Sequence, residues 1–239
     1  MSHEYPSDAV IDASQFRTWQ TFVDTTDAAH VSLRGYLFAK RVLDLAIAIP
    51  ALIASIPILL LGIVLIQLAD PGPVLFRQTR IGRGECPFTM LKLRTMRQGN
   101  DDSAFREFNT RELRGQPNQT GDGILKPQND PRVLPMSRLL RRLSIDELPQ
   151  LVNVILGDMS IVGPRPSLPW EVALFTPQQR RRHAVLPGIT GLWQVRGRNR
   201  LTMQQMLALD LVYVTQQSFL LDLKILWQTV PAVLSGHTR

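Results

Sequence analysis

The chain has 239 residues, 44% of them hydrophobic and 20% charged, which is enough apolar material for a core and excludes a wholly disordered chain. Its single cysteine, Cys86, excludes an internal disulfide framework and a cysteine-based zinc cluster, and His3, His30, His183 and His237 are too scattered for a paired metal motif. The net charge of +7 is uneven: residues 1–30 carry Glu4, Asp8, Asp12, Asp24 and Asp27 against Arg17 alone, so residues 31–239 hold 26 basic against 15 acidic side chains and call for an anionic partner.

Residues 1–30 are polar and read as an extension without a core of its own. Val42–Ala69 follows, a 28-residue apolar run whose only charge is Asp44. It exceeds the ~20 residues that span a bilayer. A secretory signal does not fit, because the run begins after about forty residues with no small-residue cleavage site behind it. A buried soluble helix does not fit either, because such helices rarely lack a polar face for so long. Pro57 in mid-run predicts a kink or break. Both flanks are basic, with Arg34, Lys40 and Arg41 before the run and Arg77, Arg80 and Arg83 after it. A straight span would put one flank outside, against the positive-inside rule. A helix that enters, breaks at Pro57 and returns keeps both flanks in the cytoplasm, so a re-entrant hairpin is favoured over a single span.

The turn Ala69–Pro73 ends this segment. Alternation around Gly82 and Gly84 predicts a β-hairpin of Val74–Gln78 and Phe88–Leu93. Residues 97–131 read as a polar loop with a short helix over Ser103–Leu113. Helical patterns follow at Ser137–Leu143, Leu148–Leu156, Pro177–His183, Met203–Ser218 and Leu221–Leu234, with a rigid GPRP turn at Gly163–Pro166 and a glycine-rich loop over Leu186–Arg198. Arg138, Arg141 and Arg142, alternating with leucines, suit a helix lying on anionic lipid. Asp222 and Lys224 argue against a second span.

Five features are weighed for chemistry. Asp146 and Glu147 are adjacent carboxylates downstream of Arg141 and Arg142; they are either a reacting pair or an ordinary acidic pair at a helix N-terminus. Arg165, set between two prolines, offers a pre-aimed guanidinium for phosphate or is a solvated turn residue. Lys92 and Arg94 are phosphate ligands or exposed strand positions. Arg180–Arg182 reads more naturally as a solvated or lipid-headgroup face. Trp193 and Trp227 serve equally as interfacial anchors or as core. No Walker motif, dinucleotide fingerprint, zinc finger or clear helix-turn-helix is present, so the basic charge beside a membrane segment points to phosphorylated or lipid ligands.

From KRVLDL (Lys40–Leu45) to DLKILWQTVPAVL (Asp222–Leu234), with PGPVLFRQTRIGR, LKLRTM, SIDELPQLVNVILGDMSIVGPRP and PGITGLWQVRGR in order between them, the chain resembles the bacterial sugar transferases called polyprenyl-phosphate glycosyl-1-phosphate transferases, or monotopic phosphoglycosyl transferases. The resemblance implies transfer of a sugar-1-phosphate from a UDP-sugar to polyprenyl phosphate, giving polyprenyl diphosphate sugar and UMP, the first step of lipid-linked exopolysaccharide, capsule or O-antigen assembly. Residue by residue, it implies that Asp146 attacks the sugar-bearing phosphorus, that Glu147 binds Mg2+, and that Arg165, Arg141 and Lys92 hold phosphate. Asp222 matches an acidic position of less defined role, and Pro57 the membrane break. The family often has Ser-Pro at that break; here Ile56 precedes Pro57 and the nearest serine is Ser55. GITGLWQVRGR resembles the form in hexose-1-phosphate transferases and leans towards glucose or galactose.

The implied fold is mixed α/β and mostly helical: a polar extension (1–35), a re-entrant membrane helix (36–72), and a cytoplasmic catalytic domain (73–239) with interfacial amphipathic helices and a small β-hairpin. The implied location is the cytoplasmic face of the bacterial inner membrane. Expected partners are a UDP-sugar, polyprenyl phosphate and membrane lipids, without nucleic acid; a second copy of the chain or downstream glycosyltransferases are further candidates. The competing reading is a non-catalytic, membrane-anchored binding protein of a polysaccharide assembly system.

Overall fold

A computed structural model describes residues 33–96, 103–116, 137–197 and 201–234. Most of the N-terminal extension, much of the polar loop and Arg198 lie outside the described residues. The fold is mostly helical, with two small sheets.

The apolar run forms one helix, α1 (Leu33–Ala69), which continues through Pro50 and Pro57 with no turn separating two arms. At 1.5 Å per residue a straight helix of this length would measure about 55 Å, well beyond the ~30 Å apolar core of a bilayer. Among the described residues it is the one helix long and apolar enough to cross a membrane. Its buried positions, Tyr36, Lys40, Asp44, Ala48, Ser55, Gly62 and Ile66, recur at about helical spacing and make one stripe from end to end. The opposite face is apolar and exposed, including Ile53, Leu60, Leu61 and Leu68. Pro57 has no N–H to give to the carbonyl one turn back. Close by, the buried Ser55 hydroxyl donates to the Leu52 carbonyl at 2.7 Å, one residue before the Ile53 carbonyl that Pro57 leaves free. Asp70–Pro73 ends the helix: Asp70 N–H still reaches the Ile66 carbonyl, and Pro71 cannot continue the ladder.

Strands β1 (Leu75–Ile81) and β2 (Pro87–Leu93) form an antiparallel hairpin in the register Phe76↔Lys92, Gln78↔Met90 and Arg80↔Phe88. Those six residues share one face because side chains alternate. The other face carries Leu93 against Ile66 of α1 and Leu140. Helix α2 (Ser103–Leu113) lies where the sequence places it. Helix α3 (Ser137–Arg142) and α4 (Gln150–Leu156) flank a short 3-10 turn at Ile145–Glu147.

Strand β3 (Ser160–Val162), helices α5 (Pro169–Leu174) and α6 (Pro177–Arg180), strand β4 (Gly188–Thr190) and helix α7 (Leu192–Arg196) follow. The sequence reading shows β3 only as the lead-in to GPRP and β4 and α7 as loop. Three-residue strands are too short for periodicity to register. They pair in parallel, Ser160↔Gly188 and Val162↔Thr190. Glycine is required here, since a Cβ on Gly188 would lie 2.1 Å from the Gly163 nitrogen. Helices α8 (Met203–Gln216) and α9 (Phe219–Leu234) close the fold. The main core gathers Ala48 of α1, Val154 of α4, Val162 of β3, Leu192 of α7, Leu209 and Tyr213 of α8, and Leu221 and Ile225 of α9.

Candidate active site

The turn that carries Asp146 and Glu147 is set by Ser144, whose φ of 56° and ψ of 22° place a non-glycine residue in the left-handed region. Such a conformation costs of order 1 kcal/mol or more and persists only where the surroundings enforce it. The two carboxylates then diverge. Asp146 is fully buried, while Glu147 is part-exposed and lines a cavity of about 430 Å³.

Lys92, on the inner face of the hairpin, bridges the pair: its Nζ lies 2.8 Å from Asp146 Oδ2 and 3.2 Å from Glu147 Oε1. Asn153 sets that geometry. Its Oδ1 accepts from Leu91 N–H at 3.0 Å and its Nδ2 donates to the Thr89 carbonyl at 2.8 Å, so α4 holds β2 on either side of Met90, just before the lysine. Burial pushes the Asp146 carboxyl above the usual carboxylate range, and the Glu147 charge adds to this. Lys92 and Arg141 oppose it.

Arg141 and Arg165 line the same cavity. Arg165 stands on the rigid GPRP turn, pinned to β4 because Gly163 N–H donates to the Thr190 carbonyl at 2.9 Å and Gly188 N–H to the Pro164 carbonyl at 2.8 Å. Lys92, Arg141, Glu147 and Arg165 are thus brought together, with Asp146 behind the wall that Lys92 covers. Asp222 and Pro57 are elsewhere. Asp222 is fully buried at the foot of α1, where Lys40 Nζ (2.9 Å), Tyr36 OH (3.0 Å) and Tyr213 OH (2.7 Å) donate to it. Arg94 is buried too, donating to the Asp70 carbonyl at the other end of α1.

Several cavity residues escape the sequence reading. Arg80 is buried, donating to the Pro166 carbonyl at 3.0 Å and to Gln78 Oε1 at 2.7 Å. Burial, with Arg165 beside it, lowers its pKa to about 10, so it stays charged at neutral pH. The alternation Gln78–Arg80–Phe88–Met90–Lys92 is the signal that places it with Lys92. Arg182 is a correction: it is not a solvated or lipid-facing arginine but 5% exposed, donating to Ser167 Oγ (2.6 Å), the Arg165 carbonyl (2.8 Å) and Asp210 Oδ2. Trp193 is buried against the cavity rather than at an interface, whereas Trp227 is 81% exposed.

The cavity therefore offers five cationic side chains (Arg80, Lys92, Arg141, Arg165, Arg182) on one chamber, a charge of the sign that a phosphorylated ligand would complement. Among the described residues no group of three or more His, Cys, Asp or Glu side chains could hold a metal alone. Mg2+ does not need one: it binds through one or two carboxylates plus water and substrate phosphate. Glu147, facing the cavity, fits that role.

The model of the family described as bacterial sugar transferase matches residues 35–236. The chain is 42% identical over 198 residues to the uncharacterized sugar transferase EpsL of Bacillus subtilis, covering 83% of this chain and 88% of that one. It is 42% identical over 197 residues to the exopolysaccharide production protein ExoY of Sinorhizobium fredii, covering 82% and 85%. It is 42% identical over 205 residues to the UDP-glucose:undecaprenyl-phosphate glucose-1-phosphate transferase of Caulobacter vibrioides, covering 82% and 70%.

Proposed function

The chain belongs to the bacterial sugar transferase family, and on that premise we propose that it moves a sugar-1-phosphate from a UDP-sugar to polyprenyl phosphate, releasing UMP. The observation that carries this reading is a cavity lined by five cations with an acidic pair at its wall. A nucleoside diphosphate matches that charge, and the similar protein from Caulobacter is named for this reaction.

The chain's residues divide the work as follows. Arg165, Arg80, Arg182 and Arg141 grip the diphosphate. Lys92 exchanges its carboxylate partners for a phosphate oxygen, which uncovers Asp146. An Asp146 oxygen attacks the sugar-bearing phosphorus, its bond to the bridging oxygen breaks, and UMP leaves with that electron pair. The acyl phosphate then passes its sugar-phosphate to an oxygen of polyprenyl phosphate, restoring the carboxylate. Glu147 would hold Mg2+, which when bound neutralises charge on the diphosphate and on the leaving UMP.

We place the protein on the cytoplasmic face of the inner membrane with α1 re-entrant. Two observations support this. The buried stripe of α1 rests on the catalytic body at both ends, Tyr36 to Ala48 on β3, α4 and α9, and Gly62 to Ile66 on β2 and Leu140. A perpendicular crossing would carry that charged body into lipid. Both flanks are also basic.

The experiment is UMP release from a panel of UDP-sugars by the full chain with polyprenyl phosphate. Acceptor-dependent release supports the transfer. Tight binding without release supports the non-catalytic reading. For topology, Ser32→Cys and Arg83→Cys, with Cys86 replaced, should both resist an impermeant thiol reagent applied outside intact cells; labelling of one alone restores a single span.

A further inference from the structure

The cavity has a second wall that the phosphate chemistry does not use, built from β4, α7, α8 and α9. Two buried polar atoms on it are without partners among the described residues. Asp210 is 1% exposed; Arg182 meets its Oδ2, but its Oδ1 accepts no hydrogen bond. Trp193 is 9% exposed and its Nε1 donates to nothing. Both residues line the cavity, as do Thr190 and Thr229, whose hydroxyls pair at 2.8 Å. Buried groups left in this state are uncommon and call for a partner.

The orphans are complementary: one acceptor and one donor. A metal ion would find no ligand in an indole N–H, and a second anion would be repelled by Asp210. A neutral, hydroxyl-rich ligand satisfies both atoms, because each hydroxyl donates and accepts. Position separates the sugar from the nucleobase. Arg182 joins Asp210 directly to the Arg165 backbone, through one Nη2 that donates to both. Arg182, which the proposed transfer puts on the diphosphate, thus holds Asp210 beside the groups one link from a phosphate, the sugar and the ribose, and UMP binding tells these two apart. The base is further away, beyond a ribose and a second phosphate.

We propose that Asp210 and Trp193 form the subsite for the transferred sugar, Asp210 Oδ1 accepting from one hydroxyl and Trp193 Nε1 donating to another, and that this pair selects which hexose is transferred. The assignment rests on the reading of the cavity as a sugar-1-phosphate transfer site. Burial raises the Asp210 carboxyl to about 6, against the opposing pull of Arg182, so at neutral pH it is ionised and a strong acceptor.

The test uses the full chain in lipid nanodiscs. Turnover is measured on UDP-glucose, UDP-galactose and their N-acetyl counterparts, and binding of UMP and of each UDP-sugar is measured by titration. Trp193→Phe, which removes only the N–H and part of the ring, should compress the ratio of kcat/KM between the preferred and rejected hexoses at least about tenfold. UMP affinity should stay within about twofold. Asp210→Asn should act in the same direction, and if it fails to fold, Trp193→Phe still decides. An unchanged hexose ratio in Trp193→Phe, or equal losses of UMP and UDP-sugar affinity, overturns the subsite. Absence of UMP release by the wild-type chain on every sugar strikes the transfer reading instead, and the binding titrations still show whether the hexose contributes affinity through Trp193.

Discussion

Lys40–Asp222 and Lys92–Asp146 are both lysine–carboxylate pairs, at 2.9 Å and 2.8 Å, and both aspartates are fully buried. Their surroundings differ. Asp222 has both oxygens met, Oδ1 by Tyr213 and Oδ2 by Lys40 and Tyr36, while Lys40 also donates to the Val162 carbonyl. The site ties α1, β3, α8 and α9 into one joint. Asp146 instead has a second carboxylate beside it, a left-handed serine two residues earlier, and a lysine shared with Glu147 at the edge of a cavity. A charge satisfied from all sides has nothing left to offer a substrate. A charge whose lysine is shared with a like charge at the edge of a cavity can exchange that partner for a ligand.

The sharpest break between the two sites is stability against turnover. Asp222→Asn leaves the Lys40 ammonium buried without its counter-charge and should destabilise the chain by about 3–5 kcal/mol, as for other broken buried pairs. Asp146→Asn removes a like-charge contact and should move the unfolding midpoint far less, yet abolish turnover. Denaturant unfolding and UMP release on both variants check the contrast, and equal destabilisation would erase it. The next effect is at Glu147. Glu147→Gln keeps the shape and loses the charge, so turnover should fall by roughly 10²-fold or more, with EDTA abolishing wild-type activity; full activity in EDTA removes the metal role.

The Asp146 site should also show in the pH profile. Its carboxyl is held above the ordinary range by burial, and Lys92 pulls it down. Attack needs the carboxylate, so kcat/KM should fall on the acid side at a pH above that of an ordinary carboxylate. Lys92→Met should push that limb higher still, whatever it does to the plateau.

A smaller effect belongs to His183, buried against Phe175 beside Arg182. Burial, then that arginine, lowers its pKa to about 4 from 6.5. The unfolded chain takes up a proton near 6.5 and the folded chain only near 4. The stability held by the neutral ring is therefore complete above about pH 6.5 and drains as pH falls towards 4, by on the order of 2–3 kcal/mol. His183→Phe should flatten that window in melts from pH 7 to 4, and an unchanged slope would show that the ring is not the cause. At the small end, Glu85 and Arg180 pair at 2.9 Å with both side chains well exposed. Glu85→Ala should cost less than about 1 kcal/mol.

How far the sequence reaches follows the same division. Helix α1 is visible as an unbroken apolar run, and α8 and α9 because apolar positions repeat along them. The Asp146–Glu147 turn, Lys92, Arg141 and Arg165 are visible as motifs. The parallel pair β3–β4 is not, since three residues carry no period and Gly163 and Gly188 meet only in space. Arg182 hides in a run of three arginines that looks solvated. Asp210 is not singled out in the sequence and Trp193 reads as anchor or core, because a helix places an orphaned buried atom at the same period as a packed one.

In the proposed mechanism Asp146 is a nucleophile and not an assistant to direct attack by the lipid phosphate. The chain is incubated with a UDP-sugar labelled in the sugar, without acceptor, and then quenched. Covalent label is expected on the wild-type protein, released by hydroxylamine, chased to lipid by polyprenyl phosphate, and absent from Asp146→Asn although Glu147 stands next to it. No covalent label on the wild type, together with an Asp146→Asn variant that keeps more than about a hundredth of wild-type turnover, a loss no larger than acid–base assistance gives, would contradict it.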